Sequence, residues 1–194
     1  MSAQWYNKNK LEAIIKAEII PTESVLDIGC GISPQTFIEP LKHICCDPCS
    51  EYIDTLKIRL KNKRRVEYVF LNDKWSEVVK KFSNDSVDSV FLLDVIEHLE
   101  KKEGLKLLKK TESIARKQIV IFTTLGYIKQ IHKDGRDAWG LSGGKWQEHK
   151  SGWWPSDFDK SWKVFACRFF HPCDNLGRRY LIHKGAFYAI KNFY

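Results

Sequence analysis

The 194-residue sequence contains one methionine, six prolines and no apolar run near the length that crosses a bilayer, which takes about 20 residues. No membrane partner or spanning helix is expected. The opening residues, MSAQWYNKNK, lack the apolar core and small-residue cleavage pattern of a secretory signal, so an unexported, cytoplasmic chain is expected. Cysteine is more plentiful, at six, but Cys45, Cys46 and Cys49 supply only one C-x-x-C, and no second pair stands at zinc-finger spacing. Structural zinc and disulfides are therefore not expected, and Cys30, Cys45 and Cys167 read as small buried hydrophobes. Internal repeats, low-complexity tracts and recognised nucleic-acid-binding motifs are also missing. What is present is 43% hydrophobic residues, enough to bury the core of a single domain spanning residues 1–194.

Charge is one-sided. The formal net charge is +8, and KIRLKNKRR, from Lys57 to Arg65, holds six basic residues in nine positions. Cations oppose the macrodipole at a helix C-terminus, so this run reads as a solvated helix end. A nucleic-acid partner stays open as the sharper alternative.

The most informative stretch is VLDIGCG, Val25 to Gly31. An apolar strand runs into an acid and a Gly-x-Gly turn, where the missing Cβ atoms let backbone approach a ligand closely. A nucleotide pyrophosphate would favour a third glycine and no acid nearby, whereas Pro34 stands at that third position and Asp27 precedes the turn. A carboxylate suits instead a ligand with an ammonium and a sulfonium, the two cations of S-adenosylmethionine. Asp47 follows Asp27 by 20 residues, at the end of the apolar run LKHICCD, from where a carboxylate reaches ribose hydroxyls.

In these places the chain resembles the class I S-adenosylmethionine-dependent methyltransferases. VLDIGCG is similar to their first motif, Asp47 to the ribose-binding acid, and DSVFLLDVIEHL, Asp88 to Leu99, to the fourth strand and turn of the methyltransferase type 11-like branch with a V-I-E-H-L sequence. TTLGYIKQ and WQEHKSGWWPSDF resemble a group in that branch whose fifth strand leads into a long loop before H-x-S-G-W. The resemblance implies that Asp27, Gly29 and Gly31 hold the methionine end and Asp47 the ribose. It also implies that Asn72 or Asp73 meets the adenine amino group, with Asp94 beside the cofactor.

The hydrophobic pattern agrees with that family's fold. A helix with Leu11, Ile14, Ile15, Ile19 and Ile20 on one face precedes the first strand, with Trp5 and Tyr6 ahead of it placed to cap the cleft. Strands are expected at 24–28, 42–46, 66–71, 86–93 and 118–124, with helices near 34–39, 50–60, 75–82 and 102–116. Two final strands, 163–170 and 180–192, read as an antiparallel hairpin. The sum is a Rossmann-like α/β fold: a seven-stranded, mostly parallel sheet with helices on both faces. The 30 residues from Gly126 to Pro155 lack periodicity but hold four tryptophans and six glycines, so they are expected to form a substrate lid.

Asp94, Glu97 and His98 stand at i, i+3 and i+4, and His149 of the lid could meet them. Three roles are open: polar groups that bind backbone, acid–base catalysis by His149, His98 and Glu97, or a divalent metal. The pattern is partly similar to RNA 3′-terminal 2′-O-methyltransferases, which implies an alternative reading with a metal and an RNA acceptor. Methyl transfer from a sulfonium needs no Lewis acid, so no stoichiometric metal is expected. His43, His171 and His183 read as ordinary core or surface histidines. The expected function is methyl transfer to a small-molecule acceptor, with a non-catalytic binding protein as the competing class.

Overall fold

The computed structural model describes residues 3–130, 132 and 134–193. One sheet runs through it in the order β1-β7-β8-β6-β5-β2-β3-β4. Its strands are β1 (Gln4–Trp5), β2 (Ser24–Ile28), β3 (Lys42–Cys46), β4 (Glu67–Leu71), β5 (Val87–Leu93), β6 (Ala115–Thr124), β7 (Lys163–Cys173) and β8 (Arg179–Asn192). Every neighbouring pair is parallel except those of β8, which runs antiparallel to both β6 and β7. The expected hairpin therefore closes the sheet. The eighth strand, β1, was not expected: Gln4 and Trp5 pair with Phe165 and Ala166 at the edge, so Trp5 is drawn along β7 and does not cap the cleft.

Helices α1 (Lys8–Glu18), α2 (Ser50–Leu60), the single turn α3 (Trp75–Val78) and α4 (Lys101–Ile114) cover the two faces. The Asn7 side chain caps α1 by accepting from Lys10 N at 2.9 Å. Leu11 and Ile15 of α1, with Ile19 just past its end, then pack on Val25, Phe91, Val120 and Phe165 of one sheet face. On the other face Leu26, Val90, Ile119 and Ile121 meet Val78, Leu107 and Leu108 of α3 and α4. Burial on both faces explains why the VFLL of β5 and the IVIF of β6 read as continuous apolar runs rather than alternating ones. Among the described residues no helix is long and apolar enough to cross a membrane.

The expected helix at 34–39 does not form. Pro34 and Pro40 bracket the segment, and the Gln35 amide satisfies the Ile38 backbone twice: Gln35 Nε2 donates to Ile38 O at 3.0 Å and Ile38 N donates to Gln35 Oε1 at 3.1 Å. A side chain has taken the place of helical backbone bonds.

Candidate active site

The strand order reverses between β3 and β5 on either side of β2, the point where open α/β sheets bind ligands beyond the strand ends. Gly29 and Gly31 follow β2 with φ of +70° and +54°. At Gly29 a Cβ would also stand 2.7 Å from Val95 Cγ2, so the turn needs glycine twice over, for its dihedral and for its proximity to the β5 turn. One residue past β3, Asp47 accepts from Gly31 N at 3.1 Å and Cys49 N at 2.8 Å. Burial pushes the Asp47 carboxyl up to about 6, although those two bonds oppose the shift.

Two cavities meet here. The first, about 290 Å³, is lined by Gly29, Asp47, Asp73, Trp75, Trp146 and Lys150 among others. The second, about 520 Å³, is lined by Gly31, Phe122, Gln130, Trp139, His149, His171 and Tyr188 among others. Gly29, Asp94, His98 and Gln147 line both. Asp94 adopts φ +53°, which aspartate tolerates better than most residues. Its side chain opens on the cavities while the protein surrounds it elsewhere, and desolvation pushes its carboxyl up to about 6.

The sequence-predicted residues separate. Asp47, Asp73, Asp94 and both glycines line the cavities. Asp27 lines neither: its Oδ2 accepts from Gln35 N at 2.7 Å and lies 3.4 Å from His43 Nε2, with Asp27 and His43 both buried. The pleat turns Asp27 onto the face where His43 stands, so its carboxylate fixes the loop beneath the turn. Burial alone would lower the His43 pKa, but the Asp27 and Cys45 contacts overcome it and raise it to about 9. Asn72 also lines neither cavity; its Nδ2 donates to Asp47 O at 2.9 Å and steadies the acid. Asp73 faces the first cavity but pairs with Lys81 at 2.9 Å.

The segment 126–155 lines both cavities, through Trp146, Gln147 and Lys150 in the first and Ile128, Gln130, Trp139, Gln147 and His149 in the second; its Ile131 and Lys133 lie outside the described residues. Its last part is a strap laid on the turn Ile96–His98. Lys150 N and Ser151 N donate to Glu97 O at 2.8 and 3.1 Å, and Trp153 Nε1 donates to Ile96 O at 3.0 Å. Trp153 is fully buried, and a Cβ at Gly104 would stand 2.4 Å from its ring, so α4 needs glycine where the strap crosses. Farther back, Tyr52 of α2 hydrogen-bonds Asp137, and Ser142 N donates to Glu51 Oε2 at 2.7 Å.

This strap brings His149 to His98, with ring centroids 4.8 Å apart. Burial pushes the His98 pKa down to about 3, assisted by His149, and that of His149 down to about 4. Both imidazoles are neutral at pH 7. Glu97 lies fully buried behind them, its carboxyl raised well above the usual range by burial and by Asp94. His171, read from sequence as a bystander, lines the second cavity with a buried Nε2 that has no partner. Sequence reasoning also missed Gln130, Gln147, Tyr180 and Tyr188, whose only signal was their position on the late strands and in the lid.

No protein-family model matches the chain, and no curated protein matches it in sequence. Solved structures do match in shape. An S-adenosylmethionine-dependent methyltransferase from Archaeoglobus fulgidus is similar with a TM-score of 0.56 and 17% identity, over 96% of this chain and 92% of that one. Magnesium protoporphyrin IX methyltransferase from Synechocystis, solved with bound S-adenosylmethionine, has a TM-score of 0.53 and 11% identity over 94% of this chain and 76% of that one. Phosphoethanolamine N-methyltransferase 1 from Haemonchus contortus, solved with phosphoethanolamine and S-adenosylhomocysteine, has a TM-score of 0.56 and 14% identity over 95% of this chain, which spans 42% of that one. At these identities the likeness is one of fold.

Proposed function

We propose that this chain, which has the class I methyltransferase fold, transfers the methyl group of S-adenosylmethionine to a small-molecule acceptor. The observation that carries the reading is the bond from Gly31 N to Asp47, which locks a glycine turn to a buried acid at the mouth of two joined cavities. The first cavity takes the adenosine, with Asp47 on the ribose and Asp73 toward the adenine. Gly29 and Asp94 at the junction, with Gly31 beside them on the second cavity, take the methionine end and point the methyl group into the second cavity. An acceptor lone pair there forms the new bond to the methyl carbon as the carbon–sulfur bond breaks and its electrons stay on sulfur. Positioning supplies most of the rate because the sulfonium is already activated. On the acceptor side His98 and His149 offer neutral lone pairs, with Glu97 behind them.

A cavity of about 520 Å³ suits a small molecule. The test is incubation of the purified chain and methyl-labelled cofactor with cell extract separated into RNA, protein, lipid and small molecules. Label is expected in the small-molecule fraction. Label in RNA would replace the acceptor proposed here, and bound cofactor without label in any fraction would make the chain a binding protein.

A further inference from the structure

The charge pattern of the second cavity departs from that of the whole chain. The formal net charge is +8, yet among the described residues neither lysine nor arginine lines this cavity, whereas Lys74 and Lys150 line the first. The carboxylates on its wall are Asp94 and Asp174. Asp174 is matched by Arg178, whose Nε and Nη2 each lie 2.7 Å from its Oδ2. Asp94 stands at the junction, where the methyl-transfer reading puts the methionine ammonium. Among the described residues no lining charge of either sign remains to pair with an acceptor. A phosphate, carboxylate or ammonium entering here would give up its hydration without an ion partner, which is strongly unfavourable.

The walls are aromatic instead. Phe122, Trp139, Tyr180 and Tyr188 all line this cavity. Phe122 and Tyr188 stand with ring centroids 4.5 Å apart, and Trp139 lies against the glycine turn, where a Cβ at Gly31 would meet its ring at 3.7 Å. Such rings favour offset or edge-to-face neighbours, which an aromatic molecule offers and an aliphatic one does not. His171 adds a polar group to the same wall. Its ring packs against Phe122 and Phe170, with centroids 6.4 and 4.9 Å away, and its Nε2 is buried without a hydrogen-bond partner. Burial, with Lys8 nearby, pushes the His171 pKa down to about 4. At pH 7 the ring is therefore neutral, and it offers a ligand a hydrogen bond rather than an ion pair. A buried nitrogen that the fold leaves unpaired is costly until a bound molecule meets it.

We propose that the methyl acceptor is an uncharged aromatic molecule with hydroxyl or ring-nitrogen groups, held among Phe122, Trp139 and Tyr188 and hydrogen-bonded by His171. This rests on the methyl-transfer reading and narrows its acceptor to one chemical class. The step is the one already described: a heteroatom lone pair forms the bond to the methyl carbon, and the carbon–sulfur electrons stay on sulfur. A ring nitrogen without hydrogen ends as a methylated cation, whereas a hydroxyl gives up its proton to water and ends as a neutral ether.

The test passes the small-molecule fraction of cell extract through anion- and cation-exchange resins at pH 7, then offers the full-length chain the flow-through and each eluate with methyl-labelled cofactor. Label is expected from the uncharged flow-through, in a product with the ultraviolet absorption of an aromatic ring. Label from the resin-bound anions or cations, or in a product without ring absorption, would overturn the acceptor class and leave methyl transfer standing. Label from none of the three, with S-adenosylhomocysteine bound in calorimetry, would instead fail the methyl-transfer reading and this class with it. With the labelled acceptor isolated, His171→Phe should raise its KM at least tenfold and leave the affinity for S-adenosylhomocysteine unchanged. His171→Gln, which keeps a hydrogen-bonding group, should recover most of that loss. An unchanged KM in folded His171→Phe would overturn the placement of His171 on the acceptor.

Discussion

Two buried carboxylates each stand beside imidazole, and their environments are opposite. Asp27 receives a backbone N–H from Gln35 and the ring of His43, and the histidine pKa rises to about 9. Glu97 has no partner on either oxygen, and burial drives its neighbours His98 and His149 down to about 3 and 4. The first arrangement is a closed ion pair that fixes the floor of the glycine turn. The second is a buried carboxyl behind two neutral imidazoles, His98 and His149, that line a cavity. The same residue types thus serve architecture in one place and are available for chemistry in the other, and the difference lies in whether the fold satisfies them.

The comparison breaks most visibly at Asp27. Asp27→Ala removes one partner of a fully buried pair and leaves the His43 cation alone, so it is expected to cost about 3–5 kcal/mol of stability in urea denaturation. Glu97→Gln is expected to do the reverse, changing stability at pH 7.5 by about 1 kcal/mol or less, toward stabilisation, because a neutral amide replaces a carboxyl that burial and Asp94 both disfavour as a carboxylate. A loss at Glu97 as large as that at Asp27 would make the two sites alike. At the small end, Lys81→Ala removes a half-exposed partner of Asp73 and is expected to change stability by less than about 1 kcal/mol.

The His43 contribution has a direction in pH. Its folded pKa is raised from 6.5 to about 9, so the protonated ring binds its proton more tightly in the folded state. The stabilisation is fully present below pH 6.5 and is lost as pH rises through about 9. Urea midpoints of the parent protein should fall over that window, and His43→Gln should flatten the fall.

Much of this architecture was legible in the sequence. The helix expected at 50–60 is α2, Ser50–Leu60, because its apolar spacing, first-turn Glu51 and C-terminal basic residues agree. The segment 34–39 misled because a Gln35 amide can imitate two backbone partners, which no periodicity records. Asp27 and Asp47 look equivalent as acids at strand ends, yet one lies inside the pleat and the other a residue beyond it, and only the latter reaches the cavity. His149 was legible as a partner of Glu97 and His98 through a motif, whereas His171 needed the hairpin's fold: β7 brings it beside Phe122 and into the cavity.

The central claim is that the pocket beside the glycine turn, with Asp47 on its wall, binds S-adenosylmethionine. Calorimetry with S-adenosylhomocysteine measures it without any acceptor. The parent protein should bind one equivalent, and folded Asp47→Ala should bind at least tenfold more weakly, because the ribose contact is lost. Equal affinity in the folded variant, or no binding to the parent protein, would contradict the account.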